Sequence, residues 1–254
     1  MERKPLGHKS YGHIAHLPGS RVGIGDHKCH EGQLKIACKK KRDKWDRIIV
    51  QEKLDGSNVG VALINGQIIA ISRAGYLANT SPYIQHHFFN AWVKMNEKRF
   101  RNVLQEGERL CGEWLLIAHG TIYNLPHEPF VAFDIIQNKH QRLPYADFFI
   151  KVQKGDFIIP ALLSSATDYT IPISIEEALR RLDKHGFHGA QDLAEGCIWR
   201  IERDELIDKH KGNAGGRKTI VDFLVKYVRP NKEDGKYLKR DDRPESKHIY
   251  NTHK

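Results

Sequence analysis

Residues 48–58 read Ile48-Ile49-Val50-Gln51-Glu52-Lys53-Leu54-Asp55-Gly56-Ser57-Asn58, and the order of their types decides the fold. A short apolar strand ends in a lysine, an acid and a glycine turn. An alternating run, Val59, Val61, Leu63, then leads to Asn65-Gly66. Asn-Gly between two apolar runs marks a two-residue hairpin, because both central positions favour positive φ. From Arg47 to Ser72 the pattern is therefore strand, turn, strand, turn, strand. A lysine at a strand end beside such a turn is placed to act as a nucleophile, provided its amine is unprotonated. A free lysine pKa of ~10.4 leaves almost no neutral amine at pH 7. Bringing it to neutrality is worth roughly 4 kcal/mol, which burial and nearby cations or a metal can supply. Gly56 permits the tight backbone this needs. Alone, Lys-x-Asp-Gly describes an ordinary hairpin-edge lysine equally well.

Working outward, residues 1–46 read as an irregular, basic lead-in rich in glycine and histidine, ending near Lys39-Lys40-Lys41-Arg42. That run fits a solvated surface or a contact to a nucleic-acid backbone. Residues 81–105 read as one helix, with Ser81 as cap, Pro82 at its first position and an apolar stripe of Ile84, Phe88, Phe89, Trp92 and Met95. Strands are expected near 109–117, 129–136, 157–162, 196–202 and 220–229. Helices are expected from Pro144 to Val152 and after the Ser174-x-x-Glu177 capping box. Lys211–Lys218 reads as a mobile glycine loop, and residues 231–254 as a charged tail hugging the surface or disordered. Strands outnumber helices and hairpins recur, so the expected class is α+β with antiparallel-rich sheets rather than a doubly wound parallel sheet.

The chain has 254 residues, 41 basic against 31 acidic side chains and a net charge of +10, which favours polyanionic partners. Its four cysteines have no paired spacing, so a disulfide framework is not expected, and no apolar run reaches membrane-spanning length. These features point to a reducing compartment, cytoplasmic or host-cytoplasmic for a virus-encoded protein, with no membrane partner. His27, Cys29, His30 and Cys38 lie close together, but their spacing matches no tetrahedral zinc pattern.

Five further elements follow Lys53-x-Asp55-Gly56 in order: Ser72-Arg73, Gly112-Glu113-Trp114, Phe130-Val131-Ala132-Phe133-Asp134-Ile135, Glu195-Gly196-Cys197-Ile198 and Leu224-Val225-Lys226-Tyr227-Val228-Arg229. Over residues 47–229 this series resembles the covalent nucleotidyltransferases, and within them the small ATP-dependent RNA ligases of the phage and RNA-editing type. The resemblance implies an adenylyltransferase domain over 47–230 with two sheets flanked by helices. It implies ATP and Mg2+ (or Mn2+) as cofactors, RNA or RNA-containing duplex ends as partners, and an end-healing or accessory protein alongside.

By the same resemblance, Lys53 carries AMP and Asp55 positions the lysine or a metal-bound water. Asn58 and Arg73 contact the nucleic acid, with Arg73 also on phosphate, and Glu113 takes the ribose hydroxyls. Phe133 (or Phe130) stacks on adenine, Glu195 binds the metal and Lys226 the phosphates. The family's last element usually has two lysines one residue apart. Only Lys226 is present here, so Arg229 or Lys218 is expected to supply the second charge. DNA ligases and capping guanylyltransferases, the alternative enzymes, normally carry an oligonucleotide-binding barrel after this point. The residues beyond Arg229 are too few for one. A catalytically silent nucleic-acid-binding relative is the remaining alternative.

Overall fold

The structure, a computed structural model, describes residues 4–165, 167–206, 216–233, 235–238 and 248–253. In chain order the elements are β1 (Ala15–His16), α1 (Glu31–Cys38), β2 (Asp46–Lys53), β3 (Ser57–Ile64), β4 (Gln67–Ser72), α2 (Ile84–Met95), α3 (Glu97–Val103) and β5 (Glu108–Trp114). There follow β6 (Asn124–Leu125), β7 (Phe130–Gln137), β8 (Gln141–Arg142), α4 (Tyr145–Gln153), α5 (Ile175–Leu182), β9 (Gly196–Leu206), β10 (Arg217–Val228) and β11 (Thr252–His253). They form the expected α+β arrangement. One sheet has the order β4-β3-β5-β7-β8 and a second has β1-β10-β9-β2, both antiparallel except for the β1–β10 pair.

The hairpin read from Asn65-Gly66 is present. Both residues have positive φ, 50° and 72°, and Ile64 pairs with Gln67 across a two-residue loop. Strand β2 explains why two sheets pack as one body, because its period of two feeds two cores. Ile49 packs into a cluster with Phe89, Phe100, Phe130 and Phe148, under α2, α3 and α4. Ile48 and Val50 face the other way, into a cluster with Leu17, Ala37, Trp199, Ala178 and Leu182, under α1 and α5. Continuing the Ile49 face outward, Gln51 and Lys53 leave the apolar core and line a cavity between the sheets.

A buried ionic clamp ties the sheets at the base of that cavity. Arg200 on β9 donates to Asp134 Oδ1 on β7 at 2.9 Å, to Glu202 Oε1 at 2.7 Å and to the Leu143 carbonyl. Asp134 also accepts from Tyr11 Oη at 3.0 Å and Arg142 Nε at 2.8 Å. Arg200, Asp134 and Glu202 are each at least 98 % buried.

Several local expectations need correction. The helix over 81–105 is two helices broken at Asn96, whose φ of −107° and ψ of 15° leave the helical region. It starts at Ile84 and not at Pro82, since Ser81 Oγ accepts from Tyr83 N–H and also bonds His86 Nδ1. Met95 is exposed and no part of the buried stripe. Residues 157–162 form no strand. They cross from one sheet to the other, bridging Val131 at Ile158 and Gln51 at Leu162, with Pro160 unable to donate between. The lead-in contains a helix, α1, whose N-terminus is closed by a reciprocal His30–Gln33 capping box. His30 thus caps a helix, and Cys38 packs in the core. The expected tail is partly core. Lys232 and Asn251 are buried, and β11 pairs with β6. Residues 211–215 of the expected loop lie outside the described residues, while Arg217 and Lys218 begin β10.

Candidate active site

The cavity between the sheets has a volume of about 860 Å3 and collects most of the residues singled out by sequence: Lys53, Asp55, Asn58, Arg73, Glu113, Phe133, Glu195 and Lys226. Strand alternation supplies them. Lys53 is the last residue of β2, Phe133 faces outward from β7, and Lys226 shares a face of β10 with Leu224 and Val228. Lys53 pairs in register with Gly196, which sets Glu195 beside its amine although the two are 142 residues apart. Lys53 Nζ donates to Glu195 Oε2 at 2.5 Å. Gly56 serves by close approach rather than by unusual φ. A Cβ there would lie 2.7 Å from the Trp114 carbonyl and 2.8 Å from Leu115 Cδ2. That approach lets Gly56 N–H donate to Glu113 Oε1 at 3.1 Å and so orients the carboxylate.

The electrostatics differ from expectation at the amine. Burial alone would depress Lys53, but the carboxylates of Glu195, Glu113 and Asp55 outweigh it and hold the amine above its ordinary value. Burial pushes Glu113 up to about 8, with Lys53 opposing and Glu195 and Asp55 adding to the rise. Burial likewise raises Glu195, to about 7, against the pull of Lys53. The cavity is thus crowded with carboxylates, a setting that attracts cations. Among the described residues no group of three or more His, Cys, Asp or Glu side chains is arranged to hold a metal ion. Magnesium, however, typically uses one or two carboxylates together with substrate phosphates and water, and Glu195 with Asp55 or Glu113 meets that description.

Packing separates the two phenylalanines. Phe130 is fully buried, with ring centroids of Phe89, Trp92, Phe100 and Phe157 within 6.0 Å. Phe133 faces the cavity, its ring edge-on to Tyr11 at 5.1 Å. Asn58 Oδ1 is buried with no hydrogen-bond partner among the described residues, an acceptor left for a ligand. Arg73 is exposed at the rim, its guanidinium donating to the Gly12 carbonyl at 3.4 Å.

Neither candidate for the second charge reaches the cavity. The Arg229 guanidinium donates to the Asp183 carbonyl at 2.5 Å and does not line it. Lys218 is exposed eight residues up β10, about 26 Å away at strand rise. The positions that share Lys226's face hold Leu224 and Val228. Cationic and polar groups come instead from the lead-in, where no periodicity marks them. Arg21 lines the cavity. His16, in register with Lys226, donates from Nε2 to Asp26 Oδ2 at 3.0 Å, and Asp26 Oδ1 lies 3.8 Å from Lys226 Nζ. His119, which also borders the cavity, bonds Ser57 Oγ at 3.0 Å.

Residues 46–228 match the family model described as RNA ligase, and the chain belongs to the RNA ligase family. A Naegleria gruberi RNA ligase, in an apo aspartate variant, has a similar structure, with a TM-score of 0.50 at 18% identity over 88% of this chain and 57% of that one. A lysine variant of that protein solved with ATP and Mn gives 0.49 at 17%, over 87% and 60%. An archaeal ATP-dependent RNA ligase gives 0.47 at 16%, over 84% and 48%. An uncharacterized protein of Methanocaldococcus jannaschii is 22% identical over 160 residues, covering 57% of this chain and 37% of its own. The chain therefore spans 37% of the length of that curated relative, and about half of the archaeal structure. No helix among the described residues is long and apolar enough to cross a membrane.

Proposed function

We propose that this protein is an ATP-dependent RNA ligase that joins 3′-hydroxyl and 5′-phosphate ends through a lysyl-AMP intermediate, with residues 47–230 as its adenylyltransferase unit. The observation that carries this reading is the placement of the Lys53 amine, 2.5 Å from Glu195, in a cavity shared with Asp55, Glu113, Phe133 and Lys226. Family membership supports it. In the first step Lys53 Nζ bonds to the α-phosphorus of ATP while the bond to the bridging oxygen breaks and pyrophosphate leaves. In the second, an oxygen of a 5′-phosphate takes the AMP and frees Lys53. In the third, a 3′-hydroxyl attacks the activated phosphate and AMP departs.

The residues divide this work by position. Asp55 orients the amine, Glu113 receives the ribose hydroxyls and Phe133 stacks on the adenine. Lys226, with Arg21 taking the part of the second lysine, neutralises the phosphates. Arg73 and Asn58 meet the nucleic acid. Glu195, with a neighbouring carboxylate, would hold Mg2+ or Mn2+, whose charge would disfavour protonation of the amine and offset that of the departing pyrophosphate.

Incubation with α-labelled ATP and Mg2+ or Mn2+ is expected to give a covalent adduct on the protein. A panel of nicks with RNA or DNA on each side is expected to be sealed fastest where RNA supplies an end. Adduct formation with GTP in place of ATP, or sealing confined to DNA, would overturn the reading. Chelation with excess EDTA is expected to abolish the adduct, and added Mg2+ to restore it. Phe133→Ala should raise the ATP concentration at half-maximal adduct formation roughly tenfold, the usual cost of a lost base stack. An unchanged ATP dependence would remove Phe133 from the adenine site.

A further inference from the structure

Lys232 is a buried ammonium with no part in the nucleotide chemistry above. It lies beyond the matched region 46–228 and is only 7 % exposed. Its Nζ donates to the Gly120 carbonyl and to Thr121 Oγ1, both at 2.7 Å, and it forms no ion pair among the described residues. A buried charge with two neutral acceptors is costly to hold. The compensating charges facing it are those of Asp55, Asp192 and Glu195.

Thr121 connects Lys232 to the first of them. Fully buried, its hydroxyl donates to Asp55 Oδ2 at 3.0 Å. The polarity of this chain is forced, since an ammonium only donates and an ionised carboxylate only accepts. The threonine proton therefore points at Asp55, and the ammonium behind it strengthens that donation. Asp55 is held a second time through its backbone N–H, which donates to Tyr123 Oη at 3.1 Å. The segment carrying Lys232 is anchored independently. Lys232 N–H donates to the Arg229 carbonyl at 3.1 Å, Tyr237 N–H to the His119 carbonyl at 2.7 Å, and Tyr237 Oη to Asp192 at 3.1 Å.

We propose that Lys232 and Thr121 are positioning residues for Asp55: the ammonium polarises the threonine hydroxyl, and the hydroxyl fixes the carboxylate that orients Lys53. The inference rests on the adenylylation of Lys53 proposed above. It assigns a catalytic dependence to a stretch of chain outside the matched family region.

The test compares wild-type protein with Thr121→Val, Thr121→Ser, Lys232→Met and the Val/Met double variant. Under saturating ATP, Thr121→Val and Lys232→Met are each expected to slow adduct formation at least about tenfold, the scale of a mispositioned catalytic group. The ATP concentration at half-maximal rate should stay unchanged, and Thr121→Ser should restore the rate. The double variant should be no slower than the worse single, because both act through one chain. A wild-type rate in Thr121→Val, a Ser variant as slow as Val, or losses that multiply would overturn the proposal. A wild-type protein that forms no adduct overturns the ligase reading instead. A readout independent of activity keeps the two apart. With aspartate labelled at Cγ, the Asp55 carboxyl resonance, assigned by its loss in Asp55→Asn, should move in both Thr121→Val and Lys232→Met. A resonance unmoved by either overturns the proposal whatever the adduct assay shows.

Discussion

Lys53→Ala protein incubated with labelled ATP and Mg2+ is expected to carry no covalent label and to seal no nick. The loss should be complete rather than graded, because among the described residues no other amine pairs with Glu195. Lys226 lies in the same cavity, on β10, with its Nζ 3.8 Å from Asp26 Oδ1. Removing Lys53 also leaves Glu195 without the ammonium at 2.5 Å, and Glu195 and Glu113, already pushed up by burial to about 7 and about 8, are driven further toward their neutral forms. The variant should still fold, since the Lys53 side chain is only partly buried at the strand end. Circular dichroism and a melting curve close to wild type would show that the loss is chemical. A label that persists on the Lys53→Ala protein would sink the nucleophile assignment, and with it the roles argued for the residues around it.

Arg200→Ala is expected to produce the largest loss of stability among single substitutions at the site. The guanidinium is shared by Asp134, Glu202 and the Leu143 carbonyl, and it joins β9 of one sheet to β7 of the other. Asp134 would keep Tyr11 and Arg142, but among the described residues Glu202 would be left with only the Tyr145 N–H at 2.7 Å. Breaking one member of a buried ionic cluster typically costs about 3–5 kcal/mol, because a charge is left without compensation. For a chain of this size that corresponds to a drop in Tm of roughly 6–20 °C. A loss below about 1 kcal/mol by urea titration would show that the clamp contributes no net stability. Because Arg200 also lines the cavity, ATP binding should weaken in step as the sheets lose their fixed spacing.

Much of the fold was legible from local chemistry. Asn65-Gly66 announced its turn because positive φ at both positions is a property of two residues and needs no tertiary context. Ser174 announced α5 for the same reason, and its hydroxyl accepts from Glu177 N–H at 3.1 Å. Residues 157–162 misled because an apolar run with a strand's composition was recruited as a crossing between sheets, an arrangement set by partners it meets only after folding. The lead-in concealed α1 because its cap is a histidine, which does not belong to the usual cap residues. The tail concealed Lys232 because charge and low hydrophobicity read as solvation. The structure instead buries that ammonium against Gly120 and Thr121, more than a hundred residues earlier.

The candidate site divides along the same line. Strand period and turn residues, both short-range properties, marked the hairpin that carries Lys53, while the ordered motifs implied Lys53, Asp55, Glu113, Glu195 and Lys226 as a set through their resemblance to a known family. They also selected an antiparallel α+β class before any contact was known. Which groups surround the amine was decided only when β2, β9 and β10 paired and the two sheets closed on each other. That step buried Phe130 and left Phe133 facing the cavity, a distinction the periodicity of β7 alone did not make. It turned Arg229 toward Asp183 and brought Asp26, His16, Thr121 and Lys232 into the neighbourhood. It also reversed the expected direction in which the surroundings shift Lys53, because the field at an amine is the sum over carboxylates that lie far apart in the chain and close in space.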